Sequence, residues 1–433
     1  MGDCRHVTEE PVARLSGHRW WRLALLVPVL IAAAGLSTPA QARTAVDPSA
    51  GVAGTTPGQD FTGLAARVLT RPSGVRGTDG RFHIAYELVL TGATPFAVDV
   101  EQVEVRDARS HRVLLSLAGG ALASRMNPVG GAPAGEPPAA TTLLGPSGSA
   151  IIWLDVGVRR KANLPDAVEH RVVSSTRPPP GDESVRFSSL VGRVSLRARG
   201  PLKLDPPVRS GIWGAGEGCC DNNTHHRRGL LVVDGNQVVP QRFAIDWMML
   251  DEQHRAWVGD PHSLSSYLSY GQPLIAAAPG KVVIARDEFP DQPPPDNPTP
   301  PAFADLPGNH VTLRVGPGIY LLYGHMKPGS VRVDVGDRVR RGEMLGRLGN
   351  SGNSATPHLH FQVQTTRSFV SDGLPFVFKR FRLLGQITSP DLSDEVLGLR
   401  PNGQLPFAPT SGSGTRRRQM PLDRSVVRFP DAR

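Results

Sequence analysis

Thr356-Pro357-His358-Leu359-His360-Phe361 is the stretch that decides how the second half of this 433-residue chain is read. With Gln362-Val363-Gln364 it makes an extended strand, and alternate residues of a strand face the same side. His358 and His360 therefore point together toward one spot. Two imidazoles held that way suit a metal ligand beside a general base, because neutral imidazole does both jobs. The pair alone is not diagnostic, since strand histidines are commonly half-exposed polar residues. The residues before it carry the argument.

Immediately upstream runs Gly349-Asn350-Ser351-Gly352-Asn353-Ser354, and before it Val335-Gly336-Asp337-Arg338-Val339-Arg340-Arg341-Gly342-Glu343-Met344-Leu345-Gly346. Earlier still are Tyr323-Gly324-His325-Met326, Tyr270-Gly271-Gln272-Pro273-Leu274-Ile275-Ala276-Ala277-Ala278-Pro279-Gly280-Lys281-Val282-Val283, and Arg242-Phe243-Ala244-Ile245-Asp246, the last on a strand expected over Gln241 to Leu250. In this order the motifs closely resemble those of the lysostaphin/LytM-type zinc metallopeptidases, which are peptidoglycan endopeptidases. The resemblance covers roughly residues 225–370, under half of the chain.

The resemblance implies roles residue by residue. Asp246 and His360 take the places of zinc ligands, and His325 and His358 those of the reacting histidines. The chemistry is coherent. A zinc with three protein ligands keeps a position for water, lowers its pKa and polarises the scissile carbonyl. One nearby histidine accepts the water's proton, and another stabilises the oxyanion or orients the water. Gly342, Gly349 and Gly352 occupy turn positions and are structural.

One position departs from the pattern. The family's first motif is His-x-Gly-x-Asp, whose histidine is the third ligand; counting back from Asp246, Arg242 and Ala244 stand at its first and third places. A guanidinium stays protonated and has no lone pair for a metal. A substitute is offered by Gly218-Cys219-Cys220-Asp221-Asn222-Asn223-Thr224-His225-His226-Arg227-Arg228. His225 or His226 is a candidate third ligand, with preference for His226 because it is nearer the strand carrying Asp246. The competing reading leaves both histidines solvated, or positioning substrate without touching metal. Adjacent cysteines join only in a strained ring, so Cys219 and Cys220 are not a stabilising framework. A soft-metal site of Cys219, Cys220 and the tandem histidines would be a closed, structural one.

The rest of the chain frames this unit. Gly (47) and Pro (41) are frequent, which points to turns and short strands rather than long helices. Residues 1–42 read as an export signal: Arg14, His18, Arg19 and Arg22, then an apolar run from Leu23 to Leu36, then Ala40-Gln41-Ala42 as a cleavage site. That apolar run is short for a membrane span, so no stable span is expected once the signal is cleaved. Cys4 leaves with the signal. A flexible spacer is expected over 43–61, an antiparallel β-sandwich over 62–200, the lysostaphin-like antiparallel β-sheet domain over 205–395, and a disordered tail over 396–433. The Pro-rich segment 287–308 reads as a long excursion that shapes a cleft.

The fold class expected is thus mostly β, in two domains. The function expected is an exported zinc (Zn2+) peptidase that cuts peptide bonds of cell-wall peptidoglycan, outside the cytoplasm, in the periplasm or at the wall. The formal net charge of +9 favours an anionic cell envelope. The basic clusters lack the interleaved aromatics of a single-strand nucleic-acid groove, so no nucleic acid is expected. The alternative is a metal-free, catalytically degenerate domain that binds peptidoglycan or regulates another hydrolase.

Overall fold

Phe82–Gly92 is the strand on which the two halves of the molecule meet. Its even-numbered side chains Ile84, Tyr86, Leu88 and Leu90 share a core with Val98, Val100, Val103, Val105 and Val168. Its odd-numbered side chains are covered as well. Ala85 belongs to the core of the C-terminal half, and Val89 packs with Ile151, Trp153 and Val239. A strand buried on both faces reads as a nearly continuous apolar run, which is why His83-Ile84-Ala85-Tyr86-Glu87-Leu88-Val89-Leu90 shows little true alternation.

The computed structural model describes residues 62–130, 141–177, 183–220, 224–295, 302–389 and 400–430. The export signal expected over 1–42 and the spacer over 43–61 lie outside the described residues. Among the described residues no helix is long and apolar enough to cross a membrane. The chain from Asp60 to Arg433 is a single compact unit.

Two antiparallel sheets build the N-terminal half. One is ordered Leu64–Val68, Phe82–Gly92, Ser149–Val158, Met126–Pro128, with Gly74–Arg76 also pairing onto Phe82–Gly92. The other is ordered Val185–Ser195, Ala167–Thr176, Val98–Asp107, Val113–Ala118, with Leu143–Leu144 on Val98–Asp107. Their inward residues interleave into one core, as in a sandwich.

The C-terminal half is organised by a ten-stranded antiparallel sheet. Its order is Arg338–Val339, Gly280–Arg286, His310–Gly316, Ile319–Tyr323, Leu359–Gln364, Ile245–Leu250, Gly211–Gly216, Ser425–Phe429, Phe381–Ile387, Phe407–Arg416. The fold is mostly β, as the strand-and-turn composition implied.

Two expectations are corrected. The strand expected from Gln241 begins at Ile245; Gln241 to Ala244 is a turn closed by the Ala244 amide on the Gln241 carbonyl at 2.8 Å. The tail is also ordered over 400–430, where Phe407–Arg416 and Ser425–Phe429 extend the large sheet beside Gly211–Gly216 and Phe381–Ile387. Pro, Ser, Gly and Arg dominate that stretch and hide its pattern. Its apolar residues Val426, Val427 and Phe429 are nevertheless completely buried. The Phe429 ring packs edge-on against Trp247 and Phe378 at 5.1 and 5.3 Å.

Phe429→Ala therefore empties a core position, with an expected cost of about 3–5 kcal/mol in a denaturant titration. A disordered tail would show no change.

His83 provides a second test. Its Nδ1 lies 2.8 Å from Asp155 Oδ2 and its Nε2 3.2 Å from Asp79. Burial by itself lowers the imidazole, but the two carboxylates outweigh it and push the pKa up to about 10. The folded value exceeds the unfolded one of about 6.5, so the stabilisation is complete below that pH and is lost as pH rises through about 10. Melting temperatures from pH 6 to 10.5 are expected to fall more steeply for the wild type than for His83→Gln.

Candidate metal centre

Strand register assembles the first half of the site. Ile245–Leu250 and Leu359–Gln364 are antiparallel neighbours, with Asp246 directly opposite His360. Directly paired residues project to the same face, so the carboxylate and the imidazole meet: His360 Nδ1 is 2.9 Å from Asp246 Oδ1. Gln362 and Gln364 follow on the same face. The Gln362 amide nitrogen donates to Gln364 Oε1 and to the Phe369 carbonyl. Its oxygen is then left to accept from His360 Nε2 at 3.0 Å. This bond puts the ring proton on Nε2, so neutral His360 turns the Nδ1 lone pair toward the carboxylate.

His226 arrives from the other side. The neighbouring strand Gly211–Gly216 pairs with Asp246 at Gly216 and runs on to Glu217. After the residues that follow, Thr224 caps the single helical turn His225–Arg228 by accepting from the Arg227 amide. His226 Nδ1 donates to the Glu217 carbonyl at 3.0 Å. Its Nε2 lone pair then faces Asp246 Oδ2 at 3.3 Å and has no hydrogen-bond partner among the described residues. His226 is buried, and that burial lowers its pKa, followed by the pull of Asp246 upward and the repulsion of His225 downward. The His226 and His360 rings lie edge to face at 4.9 Å.

The preceding residue, His225, offers a ligand atom that also falls within 4.8 Å of those of His226 and Asp246. Its ring is about half exposed, however, with Nδ1 at 3.2 Å from Glu217 Oε2. The structure thus places His226, rather than His225, against both the Asp246 carboxylate and the His360 ring.

Arg242 does not enter this cluster. From its turn it reaches away from Asp246 to Glu87 on Phe82–Gly92, with Nε–Oε1 at 2.9 Å and Nη2–Oε2 at 2.7 Å. The guanidinium is a bidentate partner of a buried carboxylate, which is what its planar fork favours.

His325 and His358 complete the wall. His325 has φ +58°, a left-handed conformation that is costly for a β-substituted residue and is seen where a side chain must be aimed. Its amide donates to the Pro307 carbonyl at 2.8 Å, and its Nδ1 to the Ser351 carbonyl at 2.8 Å. His358 Nδ1 donates to the Thr356 carbonyl at 2.8 Å. Both rings therefore carry the proton on Nδ1 and leave Nε2 as an acceptor; His358 Nε2 is 3.6 Å from Asp246 Oδ1. The two rings lie 4.7 Å apart. Burial, and then repulsion by His358 and His360, hold the His325 pKa well below its usual value, so it is neutral. Asp246 is the opposite case. Burial alone would raise its carboxyl, but attraction to positive charge on the His226, His358 and His360 side outweighs that and holds it well below the usual carboxylate range, so the pocket favours a cation, a proton or a metal ion, against the ionised carboxylate.

The donor set fits a divalent cation. Two imidazole lone pairs, from His226 and His360, and a carboxylate converge with no proton donor between them. His, His and Asp are ligand types that zinc takes, and such a triad leaves room for water. Glu217 and Gln362, which orient His226 and His360, were not singled out from the sequence. Gln362 had a signal: it repeats the His358–His360 spacing of two. Glu217 had none.

Residues 264–371 match the family described as Peptidase family M23. That stretch is a peptidase family M23 domain. It takes in His325, His358 and His360, while His226 and Asp246 precede it. The chain is 29% identical over 124 residues to the glycyl-glycine endopeptidase ALE-1 of Staphylococcus capitis, covering 28% of this chain and 29% of that protein. It is 34% identical over 104 residues to an uncharacterized metalloprotease of Buchnera aphidicola, covering 24% of this chain and 23% of that protein. The chain thus spans under a third of the length of these curated relatives. The catalytic domain of the antimicrobial peptidase lysostaphin from Staphylococcus simulans aligns at 22% identity with a TM-score of 0.21, over 38% of this chain and 88% of that domain.

Restoring the family's histidine is expected to harm rather than help. Arg242→His removes a buried cation from Glu87 and is predicted to destabilise the fold by about 3–5 kcal/mol in chemical denaturation.

Proposed function

We propose that the chain is an exported zinc metallopeptidase acting on peptide bonds of cell-wall peptidoglycan, with Asp246, His226 and His360 as the metal ligands. The observation that carries this reading is the convergence of two lone pairs, His226 Nε2 and His360 Nδ1, on the ionised Asp246 carboxylate. Electron-rich atoms this close in a buried site need a cation between them. His226 supplies the nitrogen missing at Arg242. His225, turned toward Glu217, stays outside the ligand set.

Zinc bound there supplies an acidified water and a polarised substrate carbonyl. The protein's own groups handle the proton. His358 Nε2, held as an acceptor by the Nδ1 bond to Thr356, takes the water proton and later returns it to the leaving amine. His325, neutral with Nδ1 committed to Ser351, accepts at Nε2 and orients the same water. Its lack of an Nε2 proton makes it an orienting group rather than an oxyanion donor in the resting state. Gln362 and Glu217 keep the two ligand rings in the correct tautomer.

Peptidoglycan as substrate and a site of action outside the cytoplasm are supported by the M23 domain and by the similarity to a glycyl-glycine endopeptidase. An anionic envelope is the partner that the basic surface favours. A cavity of about 690 Å³ lined in part by Arg341, Arg380, Arg382 and Arg428 concentrates positive charge on one face.

Metal analysis of the purified full chain tests the reading. One zinc per chain is expected, lost in His360→Ala and His226→Ala and kept in His225→Ala. His358→Ala is expected to keep zinc and release soluble peptides from purified sacculi at least about 100-fold more slowly. A folded wild type that takes up no zinc would instead support the non-catalytic binding reading.

A further inference from the structure

Two segments deliver ligands to the metal centre, and each has an anchor beside it. Arg227 directly follows His226 on a single helical turn. Arg242 precedes Asp246 by four residues, in the turn that leads into the Asp246 strand. Both guanidiniums end on the same carboxylate, Glu87, which belongs to the N-terminal sheet pair and is completely buried. Arg227 Nη1 donates to Glu87 Oε1, and its Nη2 donates to the carbonyls of Tyr86 and Leu154 at 2.9 and 3.1 Å. Its guanidinium also sits over the Trp153 ring at 5.3 Å. Arg242 grips the same carboxylate with two parallel bonds and touches the Gly373 carbonyl at 3.3 Å and Asp372 at 3.4 Å.

We propose that Glu87 is a positioning residue of the metal centre: by holding Arg227 and Arg242 it presses His226 and Asp246 into register, so the N-terminal sheet pair is a working part of the site. The proposal rests on the reading of His226 as a ligand.

The physical case is as follows. One helical turn has no stability of its own in water, so the position of His226 depends on what anchors the turn. Its ties on the peptidase side are the Thr224 cap and the Glu217 contacts. Every described partner of the Arg227 guanidinium comes from the N-terminal sheet carrying Phe82–Gly92 and Ser149–Val158. A buried carboxylate shared by two guanidiniums is stiff, because each departure leaves an uncompensated charge away from water. Glu87 thereby fixes two ligand-bearing segments with a single group. It also gives the arginine at 242 a partner, at a position where a metal-binding nitrogen would otherwise be expected.

The test compares zinc affinity of the full-length chain by chelator competition in wild type, Glu87→Gln, Glu87→Asp and Leu144→Ala. Leu144→Ala is the control that destabilises the fold on the sheet carrying Val98–Asp107, which holds neither Glu87 nor a ligand segment. Glu87→Asp keeps the buried charge but shortens the side chain, so it remains informative if Glu87→Gln does not fold. Both Glu87 variants are expected to bind zinc about 10- to 100-fold more weakly, as for residues that orient ligands, with Leu144→Ala near wild type. A second readout needs no metal: modification of apoprotein histidines by diethyl pyrocarbonate, resolved by peptide mass spectrometry. His226 is expected to gain reactivity in the Glu87 variants while His358, buried just ahead of the Leu359–Gln364 strand, stays protected. Wild-type affinity in the folded Glu87 variants, or an equal loss in Leu144→Ala, overturns the proposal alone. A wild type that binds no zinc overturns the functional reading and this proposal together.

Discussion

A carboxylate without access to water stays ionised only if cations replace its hydration. Glu87 meets that condition through Arg227 and Arg242, and the requirement runs through the whole molecule. The carboxylate comes from the N-terminal sheet pair and the cations from the C-terminal half, so the two halves are joined by a charge cluster at the centre of their interface. The covered outer face of Phe82–Gly92, with Ala85 and Val89 packed beside Glu87, excludes water from the cluster. Burial holds the Arg227 pKa below its usual value, while Glu87 pulls it upward; for Arg242 the carboxylate prevails over burial.

A second electrostatic condition governs the metal centre. Backbone carbonyls of Glu217, Thr356 and Ser351 each take the Nδ1 proton of one histidine, and the Gln362 amide takes the Nε2 proton of His360. Carbonyl oxygens only accept, so each bond decides which ring nitrogen keeps a lone pair. Four imidazoles thus turn lone pairs inward around one ionised carboxylate. Placed in water, the same groups would solvate separately; held in the sheet and turns, they form a concentrated donor set. The same burial that lowers His325 keeps it neutral, as a base or orienting group must be.

How much of this was legible in the chain depends on the range of each interaction. His358 and His360 could be placed on one face because strand geometry repeats every two residues, and Asp246, His325, His358 and His360 do converge. The resemblance to the lysostaphin-type peptidases agrees with the M23 domain found over 264–371. Arg242 read only as a defect in a ligand motif, since its partner lies 155 residues away. The strand was drawn four residues too long at its start, although Pro240 opens the turn that swings Arg242 away. Residues 400–430 read as disordered for the opposite reason: their composition is that of a tail, and only the open edge of the large sheet gives Val426, Val427 and Phe429 somewhere to be buried.

The amino-acid order alone therefore determined the β character, the motif set and the chemistry of the donors, all of which rest on local periodicity and side-chain type. Tertiary structure decided which of the tandem histidines faces Asp246, where the arginine at 242 goes, and that the N-terminal sheet pair supplies Glu87 to the arginines beside His226 and Asp246. Those outcomes turn on desolvation and on contacts between residues far apart in the chain. A guanidinium or an imidazole has the same intrinsic chemistry everywhere, and only the folded surroundings settle which partner it meets.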